Sequence, residues 1–189
     1  MTIDEIIGFI DGLGGVLILR PAPGDGSPEI SWGDAFFYYA PDGVVPTNTQ
    51  PFATIVTKDY PGDDASRLDR PGAFRVNLAA GREAFARWTG HAPRESAAGG
   101  VGAPGAGPGT EAGTDTRDDP ACLAAPTESG ATGGGDDTVI AHPVYGALGW
   151  LAVANPGSRT ERATRELLRT AYLLARLRYE RRAERSGSS

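Results

Sequence analysis

A stretch from about residue 92 to 137, typified by "AAGGVGAPGAGPGTEAGTDT" and "SGATGGGDD", does most to restrict how this chain can fold. It is built of Gly, Ala, Pro, Thr and Asp, and lacks the large apolar side chains whose burial offsets the entropy of ordering a backbone. We expect a disordered loop inserted at about 92–137 into a single domain of residues 1–180, with 181–189 as a flexible tail. About 140 residues remain to fold, enough for one core that buries roughly two thirds of the unfolded surface. Gly-x-Gly spacings occur in the stretch, but no strand–turn–helix context surrounds them, so no nucleotide site is read there. The chain's one cysteine, Cys122, also lies in it; a lone cysteine excludes an internal disulfide, and no histidine or carboxylate motif accompanies it.

On either side of the stretch the apolar periodicity is regular. In "TIDEIIGFIDGLGG", Thr2 and Glu5 have the capping-box spacing, and Ile3, Ile6, Ile7 and Ile10 recur at helical intervals before a run of glycines. Strands are expected at "VLILR", "ISWGDAFFYY", "FATIVTK" and "AFRVNLA". In the last of these Phe74, Val76 and Leu78 face the core while Arg75 and Asn77 face away, a period of two that suggests an antiparallel sheet covered on one face. "GREAFARWTG" predicts a short helix burying Ala84, Phe85 and Trp88. "TVIAHPVYGALGWLAVANPG" predicts a fifth strand, with alternation running through Leu148, Trp150, Ala152 and Ala154. The closing segment predicts a long helix with Leu167, Leu168, Ala171, Leu174 and Ala175 against the sheet. The fold class is therefore α+β: an antiparallel sheet of about five strands, with N-terminal, middle and long C-terminal helices packed on one face.

The net charge of −6 opposes general attraction to nucleic acid or an anionic membrane, but it is unevenly distributed. Residues 159–185 hold nine arginines against four glutamates, a net +5, which leaves −11 on the rest of the chain. Such a helix either docks an acidic partner or simply presents solvated arginines that suit the negative end of its dipole. The N-terminus carries acidic residues where a signal peptide is basic, and no apolar run approaches the ~20 residues of a membrane span, so the expectation is a cytoplasmic protein.

No nucleophile elbow, HExxH, paired CxxC or P-loop is present, and two histidines with one cysteine nearly exclude a zinc site of soft ligands. No cofactor is expected. The candidate ligand-binding residues are Asp34, Lys58, Asp59, Tyr60, His142 and Tyr145, with Asp69, Arg70 and Asn155 beside them at predicted strand ends. Lys58 is the only lysine among eighteen basic residues, and sits in "FATIVTKDYPG" where a strand gives way to a turn. A lysine beside carboxylates anchors an anionic ligand, or forms a Schiff base if its pKa is lowered; alternatively it pairs loosely with Asp59 or Asp34 for about 0–1 kcal/mol. Asp69-Arg70-Pro71-Gly72 reads as a salt-bridged turn, and His142, before Pro143, as a proton carrier or a loop side chain bonded to backbone. Trp32, Tyr38, Tyr39, Trp150 and Tyr172 form either a pocket wall or plain core.

"WGDAFFYYAPDG", "FATIVTKDYPG", "DRPGAFRVNLAAGREAF" and "HPVYGALGWLAVANPG", in that order, resemble the segments of an uncharacterised bacterial family, domain of unknown function 6194, over about residues 2–90 and 138–180. The resemblance brings no activity with it. The element order is also similar to that of MmcQ/YjbR-like proteins, which implies DNA binding through a double-wing surface; the acidic body argues against this. The reading drawn from the residues is a non-catalytic binding or accessory module for a small molecule or a protein. The alternatives are an enzyme using Lys58, Asp34 and His142, and weak DNA binding through the arginine-rich last helix.

Overall fold

Thr2 and Glu5 start the first helix as their spacing predicts. Glu5 N donates to Thr2 Oγ1 at 3.2 Å, and Thr2 N donates to Glu5 Oε2 at 2.8 Å, which closes a reciprocal box at the head of α1 (Ile3–Asp11). Ile6 and Ile10, one turn apart, are fully buried. Thr2→Ala is expected to cost about 1 kcal/mol, read as a lower urea midpoint at an unchanged m-value; no change would mean that the box is not formed in solution.

The computed structural model describes residues 1–93 and 135–186. Among these residues six strands form one antiparallel sheet: β1 (Val16–Leu19), β2 (Ala35–Tyr39), β3 (Ala53–Val56), β4 (Arg75–Leu78), β5 (Val139–Ala141) and β6 (Leu151–Ala154), in the order β1-β2-β3-β4-β6-β5. Two more helices follow the pattern read from sequence, α2 (Gly81–Thr89) and α3 (Glu161–Ser186). One sheet face, carrying Phe37, Ile55, Val76, Leu78 and Val153, packs against Ile6 and Ile10 of α1, Phe85 of α2, and Leu167, Leu168 and Ala171 of α3. Tyr39 and Tyr172 close this layer edge to face, 5.6 Å between centroids.

The sequence expectations need correcting in five places, the first being that the strand expected from Ile30 begins only at Ala35, after a 3-10 turn at Glu29–Ser31. The segment expected as one fifth strand is two, because His142-Pro143 starts a turn and Gly149, at φ 83°, reverses the chain before β6. Leu148 therefore sits half exposed in a short 3-10 turn rather than in a strand. Trp88 lies 36 % exposed on the rim of α2, where only Phe85 is fully buried. α3 continues to Ser186, beyond the domain end expected at 180. Finally, Asp136 and Asp137, assigned to the insertion, have defined places. Asp137 accepts from the backbone N–H groups of Gly157 (2.7 Å), Arg159 (3.0 Å) and Thr160 (2.9 Å), and so caps the approach to α3. Residues 94–134 of the expected insertion, including Cys122, lie outside the described residues.

Candidate functional site

The register fixes what the second sheet face carries. Leu19, Phe36, Thr54, Asn77, Ala152 and Ile140 lie directly opposite one another across all six strands, and Val56, Arg75 and Ala154 form the next row. Arg75 and Asn77 do face away from the helices, but they are only 1 % and 3 % exposed. The long β3–β4 connection, residues 57–74, folds back over this face, with Leu68, Val56, Ala73 and Tyr60 forming a small apolar seal.

A buried guanidinium must find partners for its donors. Arg75 Nε donates to Asn77 Oδ1 at 2.8 Å, Nη1 to Asp63 Oδ1 at 2.8 Å and to Ser66 Oγ at 3.0 Å, and Nη2 to Asp63 Oδ2. Asn77 Nδ2 in turn donates to Thr54 Oγ1 at 3.0 Å. Burial raises the Asp63 carboxyl pKa, but the hydrogen bonds and charge of Arg75, with a smaller contribution from His142, outweigh it and hold the group below the ordinary carboxylate range.

His142 borders the same network and is 3 % exposed. Its Nδ1 accepts from the backbone N–H groups of Val144 and Tyr145, both at 3.1 Å, so the ring proton of the neutral side chain resides on Nε2. Nε2 faces Arg75 Nη2 at 3.4 Å. Two donors therefore oppose each other, and the contact is not a hydrogen bond of the neutral ring. Burial, and then the charge of Arg75, pull the His142 pKa down to about 3 against the opposing Asp63. The Tyr145 ring lies beside it, tilted by 54°, with ring centroids 4.9 Å apart.

The residues around the end of β3 form a second cluster. Asp34, 1 % exposed, accepts from Thr57 N (2.9 Å), Thr57 Oγ1 (3.0 Å) and the Tyr60 hydroxyl. Burial raises the Asp34 pKa against those bonds and the nearby Lys58 charge; burial and the bond to Asp34 push the Tyr60 hydroxyl well above its usual value. Lys58 Nζ donates to the carbonyls of Ile30 (3.2 Å) and Trp32. Asp59 Oδ1 accepts from Leu68 N at 2.8 Å, and Asp59 N donates to Asp69 Oδ1 at 3.1 Å. Asp34 and Tyr60 thus meet, as do His142 and Tyr145, while Lys58 holds the segment before Asp34 and Asp59 shapes the connection. The two clusters are joined through backbone, where Tyr60 and Asp63 bridge. Arg70 pairs with Asp136 rather than Asp69, and Asn155 donates to the other oxygen of Asp136.

Arg75, Asp63, Ser66, Asn77 and Thr54 were absent from the candidates read from sequence. The available signal was the pair Arg75 and Asn77 in a strand otherwise made of core residues. At the edge of the covered face lies a surface hollow of about 420 Å³, lined by Ala65, Ser66, Arg67, Arg70, Gly135 and Asp136. Among the described residues, no three His, Cys, Asp or Glu side chains are grouped so as to hold a metal ion, and no helix is long and apolar enough to cross a membrane.

These features define an α+β domain whose antiparallel sheet is covered by helices on one face and by a polar, loop-roofed network on the other. The chain belongs to the family of unknown function DUF6194, whose pattern matches residues 1–184. No curated protein and no solved structure matches it, and the likeness to MmcQ/YjbR-like proteins is not shown.

Proposed function

We propose that the chain is a non-catalytic cytoplasmic binding module that takes a small molecule at the hollow beside the loop-roofed face. The observation carrying this reading is that the groups a catalyst would use are already committed to partners within the chain. Lys58 lies against two carbonyls, Asp34 accepts three hydrogen bonds, and His142 Nδ1 is taken by two amides. A general base or nucleophile needs a free lone pair within reach of substrate. DNA binding by α3 has less support, since Arg165 and Arg176 pair with Glu161 and Glu180 on the same helix.

A thermal-shift screen against metabolites tests the reading, because a compound at one hundred times its dissociation constant adds about 2.7 kcal/mol. A hit is expected to survive Lys58→Met, with no compound converted to product. Turnover of a hit, or loss of the hit in a folded Lys58→Met protein, would return the site to Lys58 and overturn the proposal.

A further inference from the structure

We infer that the hollow holds the oxyanion head of its ligand, a carboxylate or a phosphate, through the hydroxyl of Ser66 and the guanidinium groups of Arg67 and Arg70. The inference rests on the binding-module reading and gives its site a ligand class.

Ser66 is 7 % exposed and lines the hollow. Its Oγ accepts from Arg75 Nη1 at 3.0 Å, and Arg75 has no acceptor to offer in return. The Ser66 proton is thus left without an acceptor among the described residues, on a hydroxyl polarised by a buried cation into a better donor. Arg67 supplies the second group. Its guanidinium makes no hydrogen bond among the described residues, while its backbone is pinned on both sides: Arg67 N donates to Asp64 O at 2.9 Å, and Arg70 Nε donates to Arg67 O at 3.0 Å. Arg67 also holds φ at 47°, a left-handed conformation that an arginine adopts only where its surroundings impose it. Arg70 gives Nη2 to Asp136 and keeps Nη1. With Asp136 counted against the two arginines, the lining carries a net charge of +1, which suits one anionic group. Planar guanidinium donors beside a hydroxyl match the lone pairs of carboxylate and phosphate oxygens.

The test is a titration of the full-length ¹⁵N-labelled protein with inorganic phosphate, with acetate and with acetamide, each at ionic strength held constant by sodium chloride. Saturable shifts of the Ser66, Arg67 and Arg70 amides are expected with phosphate, acetate or both, and the arm that saturates identifies the head group. Arg67→Gly, whose backbone suits the left-handed site, is expected to weaken binding about tenfold with the spectrum otherwise native; Ser66→Ala is expected to do likewise and Ser66→Thr to restore it. Shifts linear in anion, or equal in Arg67→Gly, overturn the inference. Saturation by acetamide alone overturns it while leaving the binding module standing. A silent titration together with a metabolite screen that yields no ligand removes both.

Discussion

Replacing Arg75 by methionine is expected to remove about 3–5 kcal/mol of folding stability, a large part of the 5–15 kcal/mol that a typical domain has. The side chain of Arg75 is 2 % exposed and that of Asp63 is 11 % exposed. Without the guanidinium, the Asp63 carboxylate stays in its place with no counter-charge, and Asn77 Oδ1 and Ser66 Oγ lose a donor. The penalty is mainly the desolvation of what is left behind, so removing both partners should cost less than the two single changes together. Arg75→Met/Asp63→Leu is expected to recover much of the loss, giving a coupling energy of about 2 kcal/mol in a double-mutant cycle. Urea denaturation of the four proteins gives the numbers. Arg165→Ala, which breaks an exposed pair with Glu161, provides the scale, at about 0–1 kcal/mol. If Arg75→Met fell within that scale, the second sheet face would be solvated and the roof formed by residues 57–74 would be open.

Elements that bury one face through a local pattern were legible in the sequence. The Thr2/Glu5 box, the Ile6/Ile10 repeat, the alternation of Phe74, Val76 and Leu78, and the Leu167–Ala171 stripe each carry their own period, and each is found in place. Where apolar residues are dense, periodicity does not separate a strand from a turn. Alternation through Leu148 and Trp150 continued across a reversal that only Gly149 marks, so two strands were read as one. Trp88 and Leu174 followed the helical stripe, but Trp88 is exposed and Leu174, which lies over Gly81 at the start of α2, is only partly buried. Asp137 gave no local signal, because the amides it caps lie twenty or more residues further along the chain.

The candidate site was legible in its composition more than in its connectivity. Of Asp34, Lys58 and Tyr60, read together, Asp34 and Tyr60 meet, since β2 and β3 are adjacent and their ends are paired, while Lys58 turns to the carbonyls of Ile30 and Trp32. His142 meets Arg75 only because β4 pairs with β6, across an interval of the chain that no local pattern bridges. The roles also changed. Lys58, read as either an anion anchor or a strand-end cation paired loosely with Asp59 or Asp34, has its donors in two carbonyls. Arg75, read as facing away from the core, is among the most buried side chains in the protein. A period of two shows that Arg75 leaves the helical side; it does not show whether water or a folded-back connection meets it there.

That burial also sets the pH response. His142 is neutral when folded, with its pKa pulled down to about 3, against 6.5 for an ordinary histidine. As pH falls below 6.5 the unfolded chain takes up this proton and the folded chain does not, so stability is fully present above 6.5 and declines by roughly 1 kcal/mol for each pH unit below it. Asp34, whose pKa is raised, opposes the trend as the solution becomes acidic. Asp63, whose pKa is lowered, adds to the loss once the pH falls to the ordinary carboxylate value near 3.8 and below. Between pH 6.5 and 5 the decline therefore belongs chiefly to His142. His142→Asn isolates it: an asparagine Oδ1 can accept the Val144 and Tyr145 amides in place of Nδ1 but has no proton to gain. Urea midpoints of the wild-type protein are expected to change little between pH 7.5 and 6.5 and to fall from there to pH 5, while those of the variant stay level. A wild-type curve as flat as the variant's would mean that the ring is protonated in the folded state. Nδ1 would then be a donor, the Val144 and Tyr145 amides would have lost their acceptor, and the turn into β6 would have to be held another way.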